Sequence, residues 1–347
     1  MQEEKIQNTK MALRSRAIGP PRPSNLCLAF QASSAIIWEW SGISSFKIHP
    51  SKITMHSTVG QCLGNSPVLL DGGWGTELQK RGLEIGFHPD LWNLSHPEKV
   101  EQVARSYVEA GSRIILTNTF GSTRFTLTKH GFQDKVAEIN RAGVQISKNA
   151  VKQAAAGQAK VFASIGPTGM MLMSGNISPA EMEDAFREQA VALAQAEPDG
   201  IVIETMSDPE EAVLAVKAAK STGLPVVACL VFDSGKNKDR TMMGTTPEQA
   251  VERLTDAGVD VIGANCGQGV DGFIPICERM RKATDLPLWM KANAGLPEIV
   301  NGEAVYRQTP EQFATKILEL VQAGANFVGG CCGTTPAFIA AVKKALG

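Results

Sequence analysis

Phe327-Val-Gly-Gly-Cys-Cys-Gly-Thr-Thr-Pro336 reads as a strand, a turn and a helix start within ten residues. The apolar Phe327-Val-Gly-Gly330 run has the length of a buried strand, and Thr334-Thr335-Pro336 carries the hydroxyl-then-proline signature of a helix N-terminus. Cys331 and Cys332 therefore sit where a strand stops and a loop begins. Adjacent cysteines bridge each other only by distorting the peptide between them, so both thiols are expected to be free and placed to hold a metal. A third ligand has to come from elsewhere, and Cys266 ends the apolar run Val261-Ile-Gly-Ala-Asn-Cys266 in the same manner.

Outward from this stretch, short apolar runs alternate with amphipathic helical patterns from Pro67 to the C-terminus. The expected strands are 67–72, 113–119, 160–165, 200–204, 224–232, 260–265, 286–292 and 326–331. Helical stretches follow them. Pro97 to Ala110 gathers Val100, Val103, Ala104, Tyr107 and Val108 on one face, and Pro209 to Lys220 does so with Ala212, Val213, Val216 and Ala219. Eight such units over about 280 residues match the count and length of a (β/α)₈ TIM barrel, with a doubly wound sheet as the second choice. In a barrel the C-terminal strand ends share one mouth. Asp71-Gly-Gly73, Thr117-Asn-Thr119, Gly166-Pro-Thr168, Glu204-Thr205, Asn265-Cys266, Asn293-Ala-Gly295 and Cys331-Cys332 all fall at such ends.

Three thiolates suit zinc, and three protein ligands leave the fourth tetrahedral position open, as in a catalytic rather than a structural site. Zinc so ligated carries a formal charge of minus one, which makes it a poor Lewis acid but a good holder of an incoming thiol as thiolate. Such a sulfur attacks soft saturated carbon, which means methyl transfer. Asp71 and Glu204 are the acids expected to bind an α-ammonium group, and the amides of Gly72 and Gly73 are expected to hold a carboxylate. The substrate designed for this mouth is a thiol with an amino-acid head group.

Composition narrows the alternatives. With 34 basic against 35 acidic side chains there is no field for nucleic acid, and no apolar run approaches the roughly 20 residues that cross a bilayer. The seven cysteines, Cys27, Cys62, Cys229, Cys266, Cys277, Cys331 and Cys332, are odd in number and irregular in spacing. That fits a reducing, cytoplasmic setting, with Cys229 and Cys277 as core filling. Residues 1–64 show no sustained period and carry seven Lys/Arg against three Glu, so they are expected to form an unfolded tail ahead of a barrel over 65–347. Organelle import by that tail, or a translation start at Met55, are the weaker readings. Trp74, Phe87 and Trp92 are lid candidates, Met170-Met-Leu-Met173 reads as filler, and none of the five histidines is assigned a role.

The motifs Asp71-Gly-Gly-Trp-Gly-Thr-Glu77, Thr117-Asn-Thr-Phe120, Ile165-Gly-Pro-Thr-Gly169, Glu204-Thr-Met-Ser-Asp208, Gly263-Ala-Asn-Cys-Gly267, Asn293-Ala-Gly-Leu-Pro297 and Gly329-Gly-Cys-Cys-Gly-Thr-Thr-Pro336 together resemble the homocysteine S-methyltransferase family. The resemblance implies zinc on Cys266, Cys331 and Cys332, with Asn293 taking the metal position that substrate vacates. It also implies L-homocysteine held by Glu204, Asp71, Gly72 and Thr119, and L-methionine as product. It leaves the methyl donor open among betaine, S-methylmethionine and a methyl-corrinoid on a separate protein. The competing readings are a non-catalytic barrel that binds zinc or homocysteine, and a zinc hydrolase, which lacks the usual histidine ligands.

Overall fold

The structure, a computed structural model, describes residues 55–64, 67–154, 159–300 and 303–347. Parallel strands β1 (Val68–Leu69), β2 (Ile114–Leu116), β3 (Lys160–Ile165), β4 (Gly200–Met206), β5 (Val226–Leu230), β6 (Val261–Gly269) and β7 (Leu288–Asn293) come first. A small antiparallel hairpin of β8 (Glu298–Val300) and β9 (Glu303–Val305) precedes the last barrel strand, β10 (Phe327–Gly330). The eight parallel strands pair in the order β1-β10-β7-β6-β5-β4-β3-β2, and β1 returns to β2 across a seam. There the Arg113 amide donates to the Leu69 carbonyl at 2.7 Å. The Asp71 carboxylate accepts the Leu116 amide at 2.7 Å, standing in for a main-chain carbonyl. This side-chain bonding explains why β1 is shorter than the apolar run 67–72. The architecture is the (β/α)₈ barrel expected, not the doubly wound sheet.

Strand side chains alternate between two cores, as the period of two requires. Val68, Leu70, Ile114, Leu116, Phe162, Val202, Val227, Cys229, Val261, Trp289 and Phe327 fill the barrel interior. Their neighbours Leu69, Ile115, Ile201, Ile203, Ala228, Ile262, Leu288 and Val328 face the helices. Cys229 and Cys277 are fully buried, as core filling predicts.

Helix starts follow the sequence closely. Ser178, Thr246 and Thr309 each cap a helix through a reciprocal box with Glu181, Gln249 and Gln312, and a proline occupies the first turn each time. Pro97–Ala110 and Pro209–Lys220 are helices with the bounds expected. One boundary moves. Ser57–Leu63 is a helix whose Val59 and Cys62 join the interior cluster of the barrel, so these residues belong with the folded body and not with a tail. The stretch lacked a visible period because two buried positions in one short helix are too few to show one. The rest of the expected tail, 1–54, lies outside the described residues. Among the described residues no helix is long and apolar enough to cross a membrane.

Candidate metal and thiol-substrate site

The three cysteines predicted as ligands converge. Cys266 lies where the register of β6 against β7 shifts, between Asn265 and Gly269, and its φ of 61° turns the chain at that point. Cys331 and Cys332 follow β10. The Cys331 amide donates to Ala292 O at 2.7 Å, the Cys332 amide to Asn293 Oδ1 at 3.1 Å, and Gly333 turns the loop with a φ of 79°, its α-carbon against the Tyr306 ring. The three sulfurs all lie within 4.8 Å of one another, and Cys266 Sγ is 3.9 Å from Cys332 Sγ. Tetrahedral thiolate ligands at about 2.3 Å from an ion are about 3.8 Å apart, so the spacing and the all-sulfur donor set fit a soft divalent metal.

Sulfurs this close titrate as a set. Hydrogen bonds from Cys331 and Cys332 hold the Cys266 thiol far below its ordinary range, at about 3. As donors to that thiolate, Cys331 and Cys332 are pushed up, Cys332 to about 11.

Beneath the sulfurs lies a floor of opposed charge. Glu204, only 8% exposed, accepts from Ser164 Oγ at 2.5 Å and from Asn265 Nδ2 at 3.4 Å. Burial raises its carboxyl, and Lys291 partly offsets this. Lys291 reaches inward from β7, with Nζ 2.5 Å from Asp71 Oδ1. Burial works against its ammonium, but the charges of Asp71, Glu204 and Cys331 with the Asp71 hydrogen bond leave it raised above its ordinary range.

Gly72, Gly73, Glu204, Cys266, Cys331 and Cys332 line one cavity of about 480 Å³. Asp71 lies just behind the lining. Its Oδ2 accepts from the Leu116 amide and from Trp74 Nε1, both at 2.7 Å, and its Oδ1 from Lys291. Thr119 is also fully buried behind the wall, its hydroxyl donating to Ser164 O at 2.7 Å, while its neighbour Thr117 lines the cavity. The Gly73 amide is already committed to Thr334, with Oγ1 and O both at 3.1 Å. Asn293 reaches the cysteine loop through its bond from the Cys332 amide.

Several lining residues were not singled out in the sequence. Lys291 carried a signal: Trp289, Lys291 and Asn293 alternate on one strand, which puts a lysine inside the barrel. His88 and Asp90 carried little, because the loop that brings them to the mouth has no period. His88 Nε2 lies 3.0 Å from Gly121 O and 4.0 Å from Asp90 Oδ2, and burial lowers its imidazole. Asp90, bonded by the Gly121 amide and Ser122 Oγ at 2.7 Å each, is pushed by burial to about 7. Of the aromatic lid candidates, Trp74 lines the cavity, Trp92 packs in the core and Phe87 is exposed. Of Met170-Met-Leu-Met173, Met170 and Leu172 pack against the core as filler, while Met171 and Met173 are exposed.

The structure thus joins a (β/α)₈ barrel to three convergent thiols that could hold a metal ion, with Glu204 and Lys291 lining the same cavity. Residues 68–346 match the family described as homocysteine S-methyltransferase, and the chain belongs to that family of methyltransferases. It is 29% identical over 293 residues to methionine synthase of Mycobacterium tuberculosis, and 28% identical over 290 residues to that of Mycobacterium leprae. Each match covers 80% of this chain and 24% of the relative, so the chain spans about a quarter of their length. In fold it is similar to the metallated form of the homocysteine methyltransferase MmuM from Escherichia coli, with a TM-score of 0.69 at 23% identity, covering 83% of this chain and 99% of that one.

Proposed function

We propose that the protein holds zinc on Cys266, Cys331 and Cys332 and methylates the thiol of L-homocysteine to give L-methionine. The observation that carries this reading is the joining, in one cavity, of three convergent thiols with the Glu204–Lys291 floor. Bound zinc would supply an open position for one more sulfur and hold it as thiolate at neutral pH.

The chain's own groups do the rest. Glu204 faces the cavity with its carboxylate fixed by Ser164 and Asn265, and it takes the α-ammonium. Asp71 acts one layer back, as the anchor of Lys291 and of Trp74. Asn293, tied to the Cys332 amide, stands beside the metal position and yields to substrate. Trp74 and Phe120 narrow the cavity and keep water from the thiolate. In the reaction the homocysteine sulfur forms a bond to the methyl carbon as the donor's bond to that carbon breaks in line, so two molecules have to lie end to end.

The donor lies against the part of the lining supplied by His88, Asp90 and Phe120. Betaine and S-methylmethionine are small enough to share about 480 Å³ with an amino acid, whereas a methyl-corrinoid on a separate protein has to present its methyl group at the mouth. A mass-spectrometric assay for methionine across betaine, S-methylmethionine, methylcobalamin and methylfolate tests the proposal. Methionine from at least one donor, abolished by Cys332→Ala, is the expected result. Homocysteine binding with no methionine from any of them would overturn the catalytic reading.

A further inference from the structure

Among the described residues, Lys291 is the one ammonium or guanidinium lining the cavity. It is 2% exposed, yet it borders the space directly beside Glu204. Of its three N–H donors one is spent, on Asp71 Oδ1. Asp71 cannot turn away, because the Leu116 amide and Trp74 Nε1 fix its other oxygen. The ammonium is therefore pinned from behind with donors to spare in front. The alternative anchor for a substrate carboxylate, the Gly72–Gly73 amide pair, is weakened because Gly73 already donates to Thr334. His88, the other basic group on the lining, has its imidazole lowered by burial and turns Nε2 to Gly121 O at 3.0 Å and Asp90 Oδ2 at 4.0 Å.

We propose that Lys291 is the receptor for the carboxylate of the amino-acid thiol, paired with Glu204 for its ammonium, and that it sets the preference for α-amino-acid thiols over simple ones. A zwitterionic head group presents its two charges on one carbon, and the floor presents the complementary two side by side. This assignment rests on the homocysteine reading above and adds to it a residue and a selectivity.

The test is calorimetric titration of the zinc-loaded protein with thiols that differ only in the head group. These are L-homocysteine, 4-sulfanylbutanoate without the ammonium, 3-aminopropane-1-thiol without the carboxylate, and propane-1-thiol without either. In the wild-type protein a carboxylate is expected to tighten binding by about ten- to a hundredfold, the range of a charge-assisted hydrogen bond. In Lys291→Met that advantage should vanish while 3-aminopropane-1-thiol binds as before. Should Lys291→Met fail to fold around an orphaned Asp71, the double variant Asp71→Asn/Lys291→Met removes both buried charges and is read in the same way. Equal weakening of all four thiols, or an undiminished carboxylate advantage, would assign Lys291 a structural role alone. Failure of L-homocysteine to bind the wild-type protein would instead sink the homocysteine reading, and the carboxylate assignment with it.

Discussion

Asn265 holds Thr205 with both atoms of its amide: Oδ1 accepts the Thr205 N–H at 2.7 Å and Nδ2 donates to Thr205 Oγ1 at 2.7 Å. Thr205 and Cys266 both have φ near +60°, a left-handed conformation that costs side-chain-bearing residues on the order of 1 kcal/mol each. The clamp thus bears on two strained residues at once, Thr205 beside Glu204 and Cys266 with one of the three convergent sulfurs. Asn265 Nδ2 also lies 3.4 Å from Glu204 Oε2 and 3.9 Å from Cys331 Sγ, so one side chain joins the cysteine cluster to the Glu204 carboxylate.

Asn265→Ala is accordingly expected to lose about 1–3 kcal/mol of stability, because the half-buried Thr205 amide and hydroxyl are left without a partner. It should also weaken zinc binding by about ten- to a hundredfold, as loss of an outer-shell support does. Urea unfolding and competition against a chelating dye measure the two effects. Wild-type values in both would show that the clamp is dispensable.

Gly263 tests the packing of the barrel wall. A methyl group there would overlap the Trp289 carbonyl and press on Cys229 Sγ, and neither strand can retreat without breaking the β6–β7 ladder. Gly263→Ala should cost about 3 kcal/mol or more, seen as a lower Tm. An unchanged Tm would mean that the wall yields more easily than its spacing suggests.

Asp90 gives the protein a pH-dependent stability of defined sign. Its carboxyl binds a proton more tightly folded, at about 7, than unfolded, near the ordinary 3.8. The folded state therefore holds more protons through that window, and the unfolding free energy should fall as pH rises from about 4 to about 7. The full shift corresponds to at most about 4 kcal/mol. Asp90→Asn, whose Oδ1 can still accept from the Gly121 amide and Ser122, should flatten that slope in chemical unfolding followed from pH 4.5 to 8. A parallel slope in wild type and variant would place the titration elsewhere.

Val59 probes the lower boundary of the barrel. It is 1% exposed and packs with Val68, Ile114 and their neighbours in the barrel interior. Val59→Asp puts a charge there and should cost about 3 kcal/mol or more. Wild-type stability in that variant would return residues 57–63 to the tail.

The sequence carried the fold because period-two and period-3.6 patterns repeat eight times, and because Ser178, Thr246 and Thr309 stand directly before prolines and three residues before Glu181, Gln249 and Gln312. The convergence of the three thiols was legible for a different reason. Cys331 and Cys332 follow β10, Cys266 stands at the register shift near the end of β6, and the C-terminal strand ends of a barrel open on one mouth. What the pattern did not carry is orientation. Asp71 stands at a strand end as expected, but the β1–β2 seam consumes one carboxylate oxygen and Lys291 the other. Thr117 and Thr119 differ by one pleat repeat, and a loop turn rather than strand alternation decides which reaches the cavity. His88 and Asp90 come from a loop whose path depends on tertiary contacts alone, so no local signal marks them.

On the function proposed above, three sulfurs gather one zinc ion and leave a place for a fourth sulfur from outside. X-ray absorption at the zinc edge on the metal-loaded protein, before and after addition of L-homocysteine, tests it most directly. The expected result is three sulfur ligands near 2.3 Å rising to four with the substrate. A count that stays at three on addition of homocysteine, or stoichiometric zinc retained by Cys332→Ala, would contradict it.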